Sequence, residues 1–232
     1  MRPKIAVVRF PGTNCEFDVA RALERLGASA VIVWHDQKID GDFDGVVLPG
    51  GFAHGDYLRP GAIARFSKVM ESVRDMAEAG RPILGICNGF QILCEAGLLP
   101  GVLHKNENLR FICRPVDVRV DSTRTAVTIG LSLGEVLRIP INHFEGNYRC
   151  SRDELEALRR GDRIVLRYVD NPNGSTDSIA GVCNEAGNVV GLMPHPERAS
   201  DELLGGTDGR KLLSAFLRWT ARNQANDDIG AV

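Results

Sequence analysis

The first half of the chain alternates short apolar runs with longer amphipathic stretches. Ile5 to Phe10 is an apolar run of strand length that breaks at Pro11-Gly12. Phe17, Ala20, Leu23 and Leu26 then recur at helical spacing, and Gly27 stops that helix. Ala30 to Trp34 and Gly45 to Leu48 predict two more strands. Ile63, Phe66, Met70, Val73 and Ala77 alternate spacings of three and four, which predicts one amphipathic helix closed by Gly80 and Pro82. Ile83 to Ile86 predicts a fourth strand, and Phe90 to Ala96 a short helix ended by Gly97. Strands that are apolar throughout and alternate with helices point to a parallel sheet covered on both faces.

The second half changes rhythm. Val116 to Val120, Val136 to Ile141, Ile164 to Val169, Ile179 to Cys183 and Val189 to Met193 read as strands with few helices between them. Asn171-Pro172-Asn173-Gly174 and Asn184-Glu185-Ala186-Gly187 are turn signals, the second placed where a hairpin turns. Ser151 and Glu154 form a capping box that opens a short helix. Gly209 to Gln224 predicts a closing helix with Leu212, Leu213, Phe216 and Trp219 on one side. These strands extend the sheet in antiparallel fashion, and residues 1–232 read as one α/β domain.

Composition narrows the function classes. The formal net charge of -2 argues against a broad nucleic-acid footprint. No apolar run reaches the roughly 20 residues that a membrane helix needs. No signal peptide precedes the first strand, so a cytoplasmic protein is expected. Six dispersed cysteines include no Cys-x-x-Cys and no zinc-ligand spacing, so free thiols and no metal site are expected.

One thiol stands apart. In Ile83-Leu84-Gly85-Ile86-Cys87-Asn88-Gly89-Phe90-Gln91 a buried strand runs through Gly-x-Cys-x-Gly into a helix. This is the nucleophile-elbow pattern with Cys in place of Ser. The glycines permit the close strand–helix crossing, and the helix start favours thiolate. A thiolate nucleophile needs a base, usually His. Of five histidines, His195 follows an apolar strand in Pro194-His195-Pro196-Glu197, with Glu197 placed to orient the ring. Leu48-Pro49-Gly50-Gly51 ends the third strand in paired glycines whose N–H groups suit an oxyanion.

Together, Pro49-Gly50-Gly51, Gly85-x-Cys87-x-Gly89-x-Gln91 and His195-Pro196-Glu197 resemble the class I, triad-type glutamine amidotransferases. The longer segments Phe10 to Cys15, Gly55 to Arg59, Gly61 to Phe66, Glu145 to Tyr148, Tyr168 to Gly174 and Met193 to Arg198 are similar to one branch of them. That branch is formed by the small glutaminase subunits of phosphoribosylformylglycinamidine synthases, of purine biosynthesis. Asn142-His143-Phe144-Glu145 departs from the pattern, which has smaller residues beside the His.

The resemblance implies a flavodoxin-like, largely parallel sheet with flanking helices and an antiparallel extension. It implies L-glutamine hydrolysis through a thioester on Cys87, with His195 as base and acid and Glu197 holding it. It puts the N–H groups of Gly51 and Asn88 in the oxyanion hole, and Gln91, Gly50 and His143 in the glutamine pocket. Tyr57, Arg59, Tyr148 and Arg198 fall at the site rim, at an interface or in the scaffold. The synthase reaction consumes ATP, yet the chain has no Gly-x-x-x-x-Gly-Lys-Ser/Thr loop. No cofactor is therefore expected on this chain; ATP and Mg are expected on a large synthetase subunit, joined by a small third subunit. Two other readings use the same residues: a peptidase-like or γ-glutamyl Cys hydrolase, and a non-catalytic thiol protein in which His195 and Glu197 are dispensable.

Overall fold

The structure is a computed structural model that describes residues 2–230, the side chains of residues 222–230 excepted, so the ends of the 1–232 span lie outside it. A first βα half comprises β1 (Lys4–Arg9), α1 (Glu16–Arg25), β2 (Ser29–Trp34), β3 (Gly45–Leu48), α2 (Val69–Glu78), β4 (Ile83–Ile86) and α3 (Asn88–Glu95). The strand-rich half comprises β5 (Val102–His104), β6 (Ile112–Val120), β7 (Val136–His143), β8 (Asn147–Arg149), α4 (Arg152–Arg160), β9 (Ile164–Tyr168), β10 (Ile179–Cys183), β11 (Val189–Leu192) and α5 (Gly209–Gly230).

Nine strands form one sheet in the order β2-β1-β3-β4-β11-β10-β9-β6-β7. The run β2-β1-β3-β4-β11 is parallel, and every pairing beyond β11 is antiparallel. The parallel run follows the flavodoxin-like winding, whose ligand crevice lies at the carboxyl ends of the strands. Every residue of β3, β4 and β11 is buried. That is why their sequences are continuous apolar runs and do not alternate.

The antiparallel arm curls until its edge strand β7 meets the ends of β4 and β11. The His195 N–H donates to the Pro140 carbonyl at 2.9 Å, and the Cys87 Sγ lies 3.6 Å from the Asn142 carbonyl. The free edge of β7 is thus covered, with Pro140 at a position where a missing N–H costs nothing. Among the described residues no helix is long and apolar enough to cross a membrane.

Two elements differ from the periodicity. The helix predicted over Ile63–Ala77 is a 3-10 turn at Ala64–Phe66 followed by α2, because Ser67 is extended (φ -64, ψ 145). Phe66 is consequently 75% exposed, with the Arg65 guanidinium 4.4 Å from its ring. The cause is tertiary: Arg65 donates to the Glu95 carbonyl, and Gly61 (φ +81) leaves room for a Cβ only 2.8 Å from the Ile92 nitrogen. The chain ahead of Ser67 is therefore packed onto α3 and is not free to continue α2. The pair β5-β8 forms a separate two-stranded sheet of three residues each, too short to show a period.

Candidate active site

Cys87 sits between β4 and α3 with φ 50 and ψ -104, a positive φ that a non-glycine residue adopts only under constraint. The constraint is the crossing itself. A Cβ on Gly85 would lie 2.7 Å from the Gly89 carbonyl, and one on Gly89 would overlap the Leu48 carbonyl at the end of β3. The start of α3 is thereby pressed against Leu48 at the end of β3. Gly89→Ala is expected to destabilise the fold by about 3 kcal/mol or more, since rigid backbone and not a flexible side chain blocks the methyl. Thermal unfolding of the variant measures this; an unchanged Tm contradicts the crossing.

Three side chains meet above this elbow. His195 and Glu197 are each 1% exposed, and the His195 Nδ1 is 2.6 Å from the Glu197 Oε1. A carboxylate at Nδ1 fixes the proton there, so neutral His195 carries a bare Nε2, which is buried and has no hydrogen-bond partner among the described residues. Burial disfavours charge on His195. Glu197, then Cys87 and Cys15, outweigh it and hold the imidazole well above its ordinary pKa. Cys87 is 5% exposed. Opposite it, Gly51 (φ +151) leaves no space for a Cβ, which would lie 2.6 Å from the Asn14 nitrogen. Gly50 is equally confined: a Cβ would stand 2.6 Å from the His195 Cε1. Asn88 is the first residue of α3, where helix geometry leaves an N–H unclaimed.

Asn88 and Gln91 act on each other. The Asn88 Oδ1 accepts from the Ala53 N–H at 2.9 Å, and its Nδ2 donates to the Gln91 Oε1 at 2.9 Å and to Asp56 at 3.3 Å. Gln91 in turn donates to the Glu145 carbonyl at 2.6 Å. Both ends of its amide are engaged, so Gln91 ties α3 to the loop after β7.

His143 lies 3% exposed with its Nδ1 3.1 Å from the Asn106 Oδ1. Asn106 uses its amide hydrogens on the Arg110 and His143 carbonyls, which makes Oδ1 an acceptor and puts the His143 proton on Nδ1. Burial, then the charge of His195, push the His143 pKa down to about 4, so its Nε2 remains a neutral lone pair. The Lys105 ammonium lies 5.9 Å from the Phe144 ring.

The remaining singled-out residues divide. Tyr148 is fully buried, stacked on Phe90 with its hydroxyl on the Pro100 carbonyl, and belongs to the scaffold. Arg59 forks onto Glu95 at 2.5 and 2.7 Å, and Tyr57 stands in solvent. Arg198 donates to the Cys15 Sγ at 3.2 Å. Sequence reasoning assigned no role to Cys15, Asn106 or Asp56. Cys15 and Asp56 lie inside segments that carried the resemblance, but only the fold shows what they touch.

Asp56 offers a pH test. Burial, then the Glu145 charge, raise its pKa from 3.8 to about 6, against the bond from Asn88. A raised carboxyl pKa means the folded chain prefers the acid. The stability so gained is whole below 3.8 and is lost as pH climbs through about 6. Asp56→Asn keeps the acceptor for Asn88 and removes the charge. It is expected to raise Tm at pH 8 and to leave Tm near pH 4 unchanged; an equal gain at both removes the electrostatic cause.

Comparison with known proteins places this geometry. Residues 2–207 match the model of the CobB/CobQ-like glutamine amidotransferase domain. A chain in the solved structure of PurLQS from Thermotoga maritima is 47% identical, with 94% of this chain and 99% of that one covered and a TM-score of 0.88. A Thermoplasma acidophilum protein provisionally assigned to GMP synthase shares the fold, at 21% identity, 98% coverage of both chains and a TM-score of 0.71.

Proposed function

Since the chain belongs to the CobB/CobQ-like glutamine amidotransferase domain family, we propose that it is the glutaminase subunit of phosphoribosylformylglycinamidine synthase. The 47% identity to a PurLQS chain across nearly the whole length supports this branch, as do the segments that first suggested it. The observation that carries the chemistry is the buried His195, held at 2.6 Å by Glu197 with its second nitrogen unengaged beside the elbow thiol.

In this reading Cys87 gives its proton to the His195 Nε2, and the thiolate attacks the side-chain amide carbon of L-glutamine. The carbonyl oxygen becomes an oxyanion held by the N–H groups of Gly51 and Asn88, donors that need no reorganisation. His195 then protonates the departing nitrogen. The C–N bond breaks, ammonia leaves, and a glutamyl thioester remains on Cys87. Water that has lost its proton to His195 attacks the thioester and releases glutamate. Glu197 keeps the imidazole in the tautomer that both halves require. His143 and Gly50 line the glutamine pocket, His143 as a neutral acceptor. Gln91 acts through Asn88 and the Glu145 loop.

The ATP-dependent step, with Mg, belongs to a large synthetase subunit to which ammonia passes, and a small third subunit completes the assembly. Gating by the partner fits the closure of the site. Cys87 and His195 are almost wholly buried, and the cavity of about 860 Å³ nearby is lined instead by Arg59, Glu95, Lys105 and Glu145. The lone chain is expected to hydrolyse glutamine slowly. The test is mass spectrometry of the assembled complex after treatment with a glutamine-mimicking electrophile: Cys87 alone among the six thiols gains mass, and labelling elsewhere overturns the assignment.

A further inference from the structure

The two oxyanion donors belong to different elements, Gly51 to the segment after β3 and Asn88 to the start of α3, so something must fix the gap between them. The segment that begins at Gly51 is held on one side by the loop after β1. There the Phe52 and His54 N–H groups donate to the Gly12 and Pro11 carbonyls at 2.9 and 2.6 Å. On its other side lies α3. Among the described residues, both hydrogen bonds that join residues 51–56 to α3 end on the Asn88 side chain, which accepts from the Ala53 N–H and donates to Asp56. Asn88 is 1% exposed, so no water can stand in for it. The polarity of the contact is also fixed. The Glu145 carbonyl can only accept, so Gln91 presents Nε2 to it and Oε1 to Asn88. Asn88 must then present Nδ2 to Gln91, which leaves Oδ1 for the Ala53 N–H, a group that can only donate. The two amides stand three residues apart, on one face of α3.

We infer that the Asn88 side chain is a positioning residue: by holding the Ala53 N–H it sets the distance between the oxyanion donors of Gly51 and of its own backbone, and Gln91 relays to it the position of the loop after β7. This role rests on the glutaminase reading. Gly51, at φ +151, has no side chain to hold it, so its N–H is placed by the anchoring of Phe52 and Ala53. Without the Asn88 Oδ1 the segment is held from the β1 side alone, and the Ala53 N–H loses its acceptor. The two donors act on the charge that develops in the transition state. A change in their spacing therefore lowers kcat and leaves the binding of glutamine as it was.

The test is steady-state kinetics of the assembled synthetase. Asn88→Ala lowers glutamine-dependent kcat by about 10- to 100-fold, less than the loss of a whole oxyanion donor, with KM within about twofold of wild type. Ammonia-dependent turnover is unchanged. So is the rate at which iodoacetamide alkylates Cys87, a displacement that builds no oxyanion. Gln91→Met is close in volume and removes the acceptor that orients the Asn88 amide. It lowers kcat several-fold, again at constant KM. Added to Asn88→Ala it costs nothing more, because its effect passes through Asn88. Where Asn88→Ala fails to assemble, Gln91→Met alone decides. Wild-type kcat in either single variant, a loss carried by KM, or losses that multiply in the double variant overturn the role and leave the glutaminase reading standing. A wild-type assembly with no glutamine-dependent turnover overturns that reading and this role with it.

Discussion

Cys87→Ala and His195→Ala are each expected to lower glutamine-dependent turnover of the assembled synthetase by about 10⁴-fold or more, with ammonia-dependent turnover at the wild-type rate. The size follows from the chemistry. Without the sulfur no thioester forms, and without the imidazole neither the attacking thiol nor the departing nitrogen exchanges its proton. Because the two act as a unit, the double variant is expected to be no worse than either single one. Supplied ammonia bypasses the glutaminase and tests whether the assembly survives. Full glutamine-dependent activity in His195→Ala would transfer the base role elsewhere. Loss of both activities would indicate failed assembly, which a sizing column measures directly.

Glu197→Gln carries the second largest expected effect, about 10³- to 10⁴-fold in glutamine-dependent turnover. The carboxylate can only accept, so it demands a proton on the His195 Nδ1, 2.6 Å away. An amide at the same place donates as readily as it accepts, and donation moves the imidazole proton to Nε2, facing Cys87. The substitution is nearly isosteric, and the Ser200 hydroxyl donates to the backbone carbonyl of residue 197, which the change leaves in place. Folding and ammonia-dependent turnover should persist. Activity within tenfold of wild type would mean that Glu197 merely fills space.

The parallel strands of the first half are legible in the sequence because β3 and β4 are buried on both faces, which leaves an unbroken apolar run in each, whereas β11, read with the antiparallel extension, pairs parallel with β4. The single helix expected over Ile63–Ala77 does not form because Arg65 and Gly61 are committed to α3, a contact that no local period records. The pair β5-β8 escapes a reading by period because three residues are too few to alternate visibly.

The elbow is readable from Gly85 and Gly89, because a backbone that crosses at contact distance excludes side chains at fixed offsets from the nucleophile. Glu197 is readable because it lies two residues from His195. By itself, then, the amino-acid order determined the strands of the parallel first half, the candidate nucleophile and the candidate base, features set by local sterics and burial period. Only the tertiary structure decided what surrounds them. It placed Asn106 behind His143, the free edge of β7 against Cys87 and His195, and Cys15 with Arg198 at the imidazole. These are hydrogen bonds between segments far apart in the chain. Their partners are set by how the antiparallel arm curls over the parallel strands, and that path leaves no periodic trace in the residues that make the contacts.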